Sequence, residues 1–505
     1  MQSRSNPFGK EPLWQRFPRA QRIAHMSLTA PVFLFLFLPL ILPLYIILPN
    51  RFRNALLILA SLMFYVWGEK LLVGFLLASI GINYAIGLGI SRETNRRRAK
   101  LFLAVGAAAN LGLLIACKYA GFIVGNLNGF LAVLSISPVP LPGLQQPLGI
   151  SFFTFQSLSY LADIYRGDAK PAGGPSLLAL HLAFFPKVIA GPIVKYKDIA
   201  GQLSSRIVDR EGLSEGIRRF IIGLGKKIII AGTVAVPADR IFGLRTDQLT
   251  PATAWLGAIC YTLQIYYDFS GYSDMAIGLA RMFGFRLTEN FNYPYVARSI
   301  REFWQRWHIS LSTWFRDYLY IPLGGNRRGP ARTYLNLMIV FLLCGLWHGA
   351  NWTFVVWGAF QGCFMVLERS GIVGKLTRNF RIAEHVDALL AIIVGWVIFR
   401  APTLSGALGY VGAMVGIGQH AGTAPSATMF VDAEVALTLV VAVLGCAPLL
   451  PSLAMPSARA TERLGWSAGG AGTMILDLSA MGMILIYSMM LIAAGSYSPF
   501  IYARF

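Results

Sequence analysis

The residues of this sequence that are best suited to chemistry are two histidines, His308 and His348. His348 lies in the stretch GLWHGANWTF, at the end of an apolar run that reads as the middle of a membrane helix. A histidine in hydrocarbon is costly, so such a residue is a candidate for a functional site. A neutral imidazole can accept a hydroxyl proton, which is the role of a general base in acyl transfer. The alternative is a structural histidine bonded to a neighbouring carbonyl.

The helix that carries His348 is predicted to end inside the membrane. It begins near Arg332, and fifteen residues at 1.5 Å each extend roughly 22 Å, which places His348 well inside the bilayer. Gly349 ends or bends this helix, and Asn351 is suited to cap the next one. A helix break at membrane depth is tolerated only where protein or a water-filled cavity covers it. His348 is therefore expected to face a cavity.

The segment 297–321 is predicted to form one aromatic, basic, amphipathic helix. At about 100° per residue, one face collects large apolar side chains and the other collects polar ones. The apolar face holds Phe303, Trp304, Trp307, Leu311, Trp314 and Tyr318. The polar face holds Arg301, Gln305, His308, Ser312 and Arg316. Such a helix lies in the membrane interface or lines a polar funnel into the protein.

The composition is that of a membrane protein. Of 505 residues, 55% are hydrophobic and 13% are charged, whereas a soluble protein carries about 25% charged residues. Apolar runs recur along the chain and predict an all-α, polytopic fold of about 11–13 transmembrane or re-entrant helices, with additional interfacial helices. We predict a basic N-terminal arm over residues 1–28 and a single membrane domain over residues 29–505.

The net charge of +21 would suggest nucleic acid in a soluble protein. Here Lys and Arg collect in the loops between apolar runs, as the positive-inside rule expects. We therefore predict contact with membrane lipid and no nucleic-acid partner. The basic face can also attract an anionic substrate.

Several other chemistries lack their sequence signals. The five cysteines form no CxxC pair, and most of them are expected to be small buried hydrophobes. Two histidines 40 residues apart do not meet a zinc-ligand spacing, so no metal is predicted. There is no Walker loop or dinucleotide fingerprint, and no tightly bound cofactor is predicted. The stretch GYSDM (271–275) lacks the second glycine of a nucleophile elbow.

Other polar residues of the apolar segments receive simpler interpretations. Asp268 and Asp274 are expected to pair with arginines or to help form a substrate path. The remaining histidines are interpreted as structural or exposed: His25, His181, His385 and His420.

Two motifs resemble a known family. REFWQRWHISLSTWFRDYLYIPLGGNRRG (301–329) and GLWHGANWTFVVWGAFQG (345–362) are similar to the signature of the membrane-bound O-acyltransferases. The likeness is to the branch that O-acetylates bacterial polysaccharides such as alginate, and more distantly to the D-alanine transferases of teichoic acids. It covers residues 28–400 well, with the signature region at 297–368.

The resemblance implies a helical enzyme of the bacterial inner membrane with a central funnel. It implies O-acetyl transfer from a cytoplasmic thioester, acetyl-CoA, to an exopolysaccharide hydroxyl, directly or through periplasmic acetyltransferase partners. On this pattern His348 is the catalytic histidine and His308 the second signature histidine. The expected substrate-binding residues are Arg301, Arg306, Arg316, Asn351, Asp317 and Tyr318. The three arginines are expected to meet the phosphates of the donor, although membrane topology alone also explains basic residues here.

Two other functions stay open from the residues alone. A transporter would export a polysaccharide or a small anion, with His348 as a proton relay. A non-catalytic scaffold of an export complex would tolerate substitution of His348. Stoichiometric consumption of a thioester separates the enzyme from the transporter.

Overall fold

Helices form all the regular secondary structure that a computed structural model describes, over residues 27–371, 381–417, 424–448 and 471–495. No strand occurs within these ranges. The predicted all-α class is therefore confirmed. Most of the basic arm lies outside the described residues, and the division into an arm and a single membrane domain stays a prediction.

The described residues in the first half of the chain form ten α-helices of about 9 to 20 residues. In chain order they are α1 (Leu38–Ile47), α2 (Asn50–Glu69), α3 (Val73–Arg92), α4 (Arg96–Leu114), α5 (Ala120–Val133), α6 (Ile150–Arg166), α7 (Pro175–Ala183), α8 (Tyr196–Ser204), α9 (Arg210–Gly225) and α10 (Gly232–Phe242). Three of these helices are extended by π-helical turns, at Phe33–Phe37, Ile115–Tyr119 and Lys226–Ala231.

The second half contains the signature region. Its helices are α11 (Pro251–Met282), α12 (Ile300–Arg306), α13 (Ile309–Phe315), α14 (Pro330–His348), α15 (Trp352–Arg369), α16 (Arg381–Arg400), α17 (Leu404–Met414), α18 (Ala433–Gly445) and α19 (Ala471–Ala493). A further π-helical turn, Arg316–Tyr320, follows α13.

Six helical stretches of the described residues are long and apolar enough to cross a membrane. They are Asn50–Arg92, Arg96–Val133, Arg210–Phe242, Pro330–His348, Ile382–Arg400 and Met474–Ala493. The first contains two helices joined at a bend, α2 and α3, each of 20 residues and thus about 30 Å long. Shorter apolar helices add to these stretches. The multi-pass membrane class is confirmed, and the exact number of crossings stays a prediction.

Helix α11 forms the centre of the fold. It has 32 residues, most of them buried, and it packs along α9 and α10. The α9–α11 contact is close because glycines face each other: a Cβ on Gly223 would lie 2.6 Å from the Gly271 carbonyl oxygen. Small residues at a helix interface let two backbones approach in this way. The polar residues of α11 are thereby held inside the protein.

The two acids of α11 are paired with cations of α9 and of the π-helical turn that follows α9. Asp268 forms a buried ion pair with Lys227. Asp274 Oδ1 lies 2.9 Å from Arg219 Nη2, and its Oδ2 lies 2.8 Å from Lys226 Nζ. The predicted pairing is thus confirmed for Asp274 with an arginine, whereas Asp268 pairs with a lysine. Both acids serve the packing of α11 against α9 and its π-helical turn.

Most cysteines and histidines outside the signature motifs occupy structural positions. Cys117, Cys260, Cys344 and Cys446 are buried, as predicted, whereas Cys363 is exposed. His181 is buried, and His385 Nδ1 lies 3.0 Å from the carbonyl oxygen of Ala297. His25 and His420 lie outside the described residues.

Candidate active site

His348 is the last residue of α14, and the chain leaves the helix immediately after it. Gly349 is extended, with φ −170° and ψ 153°. The Asn351 side chain then accepts a hydrogen bond of 3.1 Å from the amide of Thr353 and caps α15. The predicted break and cap are both confirmed. His348 is 3% exposed, so its imidazole lies inside the protein.

Helices α14 and α15 form a tight antiparallel pair that fixes the position of this break. A Cβ on Gly345 would lie 2.2 Å from the carbonyl oxygen of Phe354, and a Cβ on Gly358 would lie 2.3 Å from that of Phe341. Both obstacles are backbone atoms, which cannot rotate away as a side chain can. The glycines therefore set the distance between the two helices that flank His348.

Replacing Gly345 by alanine is expected to push α14 away from α15. Overpacking of this kind costs about 1–3 kcal/mol, and it displaces the helix end that carries His348. We expect a lower midpoint of thermal unfolding in detergent and lower acyl transfer. Gly112→Ala is the matched control, because a Cβ there meets nothing within 4 Å. Wild-type stability and activity in Gly345→Ala would contradict this account of the packing.

The prediction of one continuous helix over 297–321 is wrong. The chain forms two short helices, α12 and α13, which are separated at Trp307 and His308. His308 has φ 44° and ψ 52°, in the left-handed region. Its ring is fully buried instead of lying on an exposed polar face. Five residues of the predicted apolar face are buried: Phe303, Trp304, Trp307, Leu311 and Trp314. The sixth, Tyr318, is half-buried.

The break at His308 is held by residues that precede it in the chain. The amide of Ile309 donates to the Asn290 carbonyl at 3.0 Å, and the amide of Asn292 donates to the Arg306 carbonyl at 2.9 Å. The Asn290 side chain also accepts from the amide and hydroxyl of Ser310. These bonds replace the intrahelical bonds that a continuous helix would make. They turn the imidazole of His308 into the protein.

The two histidines come together although they lie on different helices. Their ring centroids are 6.4 Å apart. The ring of Trp347 lies against both, at 5.8 Å from His308 and 4.9 Å from His348. Trp357 and Phe399 complete an aromatic wall around His348, at 5.1 and 5.2 Å. The two imidazoles are thus enclosed by aromatic rings, a setting suited to proton transfer away from bulk water.

The three predicted phosphate-binding arginines occupy more open positions than the histidines. Arg306 Nη2 lies 2.9 Å from Glu302, and Arg316 Nε lies 2.7 Å from Asp317. Arg301 is exposed, and its backbone amide donates to Glu368. Two of the three are thus engaged with acids of their own segment. Their role towards a substrate stays a prediction.

Asp317 and Tyr318 belong to a polar network at the π-helical turn after α13. Lys195 Nζ lies 2.6 Å from Asp317 Oδ2, and the Tyr318 hydroxyl donates to Asp163 Oδ1 at 2.6 Å. Burial raises the pKa of the Asp317 carboxyl, but hydrogen bonds from Arg316 and Lys195 outweigh it and hold that pKa below its ordinary value. The network fastens the signature segment to α6 and to the loop before α8. Binding of substrate by Asp317, Tyr318 or Asn351 stays a prediction.

Asp317→Asn is expected to destabilise the protein most at neutral pH. A carboxyl whose pKa is lowered in the folded state stabilises it above its ordinary pKa, and this contribution is lost as the pH falls. The expected loss is about 2 kcal/mol, typical of hydrogen bonds to a charged group, seen as a lower midpoint of thermal unfolding in detergent. The difference from wild type should shrink towards acidic pH. Asp247→Asn is the control, because its pair with Arg245 is exposed, and an equal loss there would contradict the assignment.

The sequence analysis missed two residues of the helix before the site, Lys118 and Tyr119. Lys118 Nζ donates to the Trp347 carbonyl at 2.6 Å, and the Tyr119 hydroxyl donates to the Leu346 carbonyl at 2.7 Å. The available signal was a lysine inside an apolar run, which marks a functional position in membrane proteins.

Across the described residues, no three His, Cys, Asp or Glu side chains form a group able to hold a metal ion.

The sequence is similar to those of a known protein family and of several known proteins. The sequence model of the membrane-bound O-acyltransferase family matches residues 144–408, which include both histidines and all the predicted binding residues. The chain is 42% identical over 491 residues to a probable alginate O-acetylase of Pseudomonas putida, covering 95% of this chain and all of the relative. The chain belongs to the membrane-bound O-acyltransferase family.

More distant members of the membrane-bound O-acyltransferases are also similar to it. A peptidoglycan O-acetyltransferase of Helicobacter pylori is 36% identical, over 78% of this chain and 81% of the relative. A teichoic acid D-alanyltransferase of Bacillus subtilis is 28% identical, over 43% of this chain and 58% of the relative. The expected family is confirmed, and with it an acyltransferase enzyme. Lys118 and Tyr119 precede the part of the chain that the family model matches.

Proposed function

We propose that this chain is an O-acetyltransferase of the bacterial inner membrane that acetylates an exopolysaccharide, with His348 as its general base. The observation that carries the proposal is the burial of His348 at a helix break, 6.4 Å from the second imidazole of His308. A helix break at membrane depth is tolerated only where protein or a water-filled cavity covers it, and such positions in membrane proteins are often functional. The names of two relatives, a probable alginate O-acetylase and a peptidoglycan O-acetyltransferase, support a polysaccharide as the acceptor.

The reaction proceeds by proton transfer and attack on a thioester. The imidazole of His348 accepts the proton of the acceptor hydroxyl, and the oxygen attacks the carbonyl carbon of acetyl-CoA. A carbon–oxygen bond forms and the carbon–sulfur bond breaks. The leaving thiolate takes the proton back from the imidazolium, so the histidine is restored. The products are an acetyl ester and free CoA thiol.

His308 is suited to the charge that develops during this attack. Its ring centroid lies 6.4 Å from that of His348, and the ring of Trp347 contacts both. A hydrogen-bond donor aimed at the developing negative charge lowers the barrier in a water-excluded site. His308 therefore positions the thioester carbonyl or stabilises its oxygen in the tetrahedral intermediate.

The donor approaches from the face rich in basic residues. Arg301 and Arg316 are exposed and follow the positive-inside pattern of a cytoplasmic surface. The phosphates of CoA carry negative charge, which such a surface attracts. The acceptor lies on the other side of the membrane and is either the sugar hydroxyl itself or a residue of a periplasmic acetyltransferase partner that passes the acetyl group on.

The test uses the purified chain in liposomes with acetyl-CoA labelled in its acetyl group. Acceptors are deacetylated alginate oligosaccharides and peptidoglycan fragments, each with and without an extract of periplasmic proteins. We expect free CoA thiol and labelled ester to appear in equal amounts. A dependence on the extract identifies the relay route. An intact thioester under all these conditions would contradict the proposal and favour export or a scaffold role.

A further inference from the structure

The end of α14 poses a hydrogen-bonding problem that a different part of the chain solves. The last four carbonyls of an α-helix have no partner within the helix. At the end of α14 the Gly345 carbonyl accepts from the amide of Gly349 at 3.4 Å. The carbonyls of Leu346, Trp347 and His348 are then left, next to the histidine that the proposed reaction uses. Unpaired carbonyls in the interior of a membrane protein are strongly unfavourable.

Lys118 and Tyr119 meet all three of these carbonyls. Lys118 Nζ lies 2.6 Å from the Trp347 carbonyl oxygen and 3.5 Å from that of His348, while the Tyr119 hydroxyl donates to Leu346 at 2.7 Å. The C-terminal end of a helix carries partial negative charge, which a lysine cation complements. The two side chains therefore stabilise the broken helix end both by hydrogen bonding and by charge.

The local backbone explains how two consecutive residues reach the same helix end. Lys118 and Tyr119 are the last residues of the π-helical turn Ile115–Tyr119, between α4 and α5. In an α-helix, neighbouring side chains diverge by about 100°. The wider π-helical turn changes this direction, and such turns occur frequently at functional sites. The turn aims both donors at α14.

Lys118 makes further contacts besides those with the carbonyls of α14. Its Nζ lies 3.3 Å from Ser151 Oγ on α6 and 6.0 Å from the ring centroid of Trp347. With three oxygen contacts, the ammonium group is occupied with the protein itself. This geometry favours an action through the helix end over direct contact with a substrate.

We infer that Lys118, assisted by Tyr119, is a positioning residue that fixes the end of α14 and thereby the orientation of the His348 imidazole. The inference rests on the proposed function, because it gives His348 a catalytic role. A loosened helix end leaves His348 in place on average but lowers the fraction of time in which it faces the acceptor hydroxyl. The turnover number is therefore expected to respond, with little effect on donor binding.

The first experiment compares kinetics of Lys118→Met, Lys118→Arg and wild type. Lys118→Met removes the charge and the donors, and we expect kcat to fall about 10- to 100-fold, as small misplacements of catalytic groups do. KM for acetyl-CoA should stay within about two-fold of the wild-type value, because the contacts that bind the donor are unchanged. Lys118→Arg keeps a cation and donors and should recover most of kcat. Lys100→Met is the control, an exposed lysine of the same helix, and it should behave as wild type.

The second experiment measures hydrogen–deuterium exchange of the peptide covering residues 343–354. Lys118→Met should speed exchange there in the wild-type background. It should do so equally in the inactive His348→Ala background, so that the mobility of the helix end is measured without relying on activity. Tyr119→Phe removes one hydrogen-bond donor and keeps the aromatic ring. This variant replaces Lys118→Met in the experiment if Lys118→Met does not accumulate in folded form. We expect Tyr119→Phe to speed the same exchange and to lower kcat by about three-fold.

The outcomes separate this inference from the proposed function. Reduced kcat with faster local exchange and recovery by arginine supports it. Wild-type kcat in Lys118→Met, or unchanged exchange at 343–354, overturns it even when His348→Ala is inactive. An active His348→Ala protein overturns the proposed function, and the positioning role fails with it.

Discussion

His348→Ala is expected to abolish O-acetyl transfer while leaving the protein folded in the membrane. Loss of a general base lowers the rate by about 100- to 10,000-fold. The imidazole is packed among Trp347, Trp357 and Phe399, so alanine leaves a cavity, but it removes no cap and no backbone bond of α14. The measurement is ester-linked acetyl on the secreted polysaccharide of cells that express matched amounts of each protein.

The control for this experiment is His385→Ala, a histidine whose ring nitrogen lies 3.0 Å from the Ala297 carbonyl oxygen, away from both signature histidines in the sequence. Cells that express His385→Ala should secrete polysaccharide with the wild-type amount of acetyl ester. Loss of polymer export in His348→Ala, instead of loss of acetyl groups, would favour the transporter. Full acetylation in His348→Ala would make this histidine structural and contradict the central proposal.

The second large effect is expected at His308, where two properties of the residue must be separated. Its ring lies 6.4 Å from that of His348, and its backbone adopts a left-handed conformation. The wild-type histidine already bears the cost of that conformation, about 1–2 kcal/mol for an L-residue, and asparagine adopts it more readily than alanine does. His308→Asn therefore isolates the loss of the imidazole from the strain in the backbone.

We expect both His308 variants to lower kcat by about 100-fold, the effect of removing one group that stabilises developing charge. Both variants leave space in a buried site and should lower the midpoint of thermal unfolding in detergent, and His308→Asn should lower it less because asparagine adopts the left-handed conformation more readily. Enzyme assays and unfolding curves on the same preparations measure the two effects. Wild-type acetylation by His308→Asn would show that the imidazole of His308 has no role in the reaction.

The sequence predicted those parts of the site that depend on local signals. Gly349 and Asn351 lie within three residues of His348, and their types alone indicate where α14 ends and α15 begins. The aromatic face of the signature segment was predicted equally well, because its 3.6-residue period is visible in the sequence. Both features were confirmed because they depend on neighbouring residues.

The features that the sequence analysis missed depend on residues far along the chain. The break at His308 is stabilised by hydrogen bonds from residues 290–292, and nothing within 297–321 indicates that these bonds form. Lys118 could be marked as unusual from its apolar surroundings, but its partners lie 229 and 230 residues away. The same holds for the ion pair between Lys195 and Asp317. Contacts of this range are set by the packing of whole helices.

The π-helical turn at Ile115–Tyr119 has a consequence for insertions and deletions. A turn that closes its hydrogen bonds at i→i+5 contains one residue more than an α-helical turn. A chain with one residue deleted there would continue as an α-helix of nearly the same length, because the π-helical turn takes up its extra residue within one turn. Everything after the deletion would keep nearly the same orientation relative to everything before it, and only the side chains of the turn itself would point elsewhere. Among relatives of this protein, a single gap in an otherwise ungapped helix would then mark a protein that holds its catalytic helix end by other means.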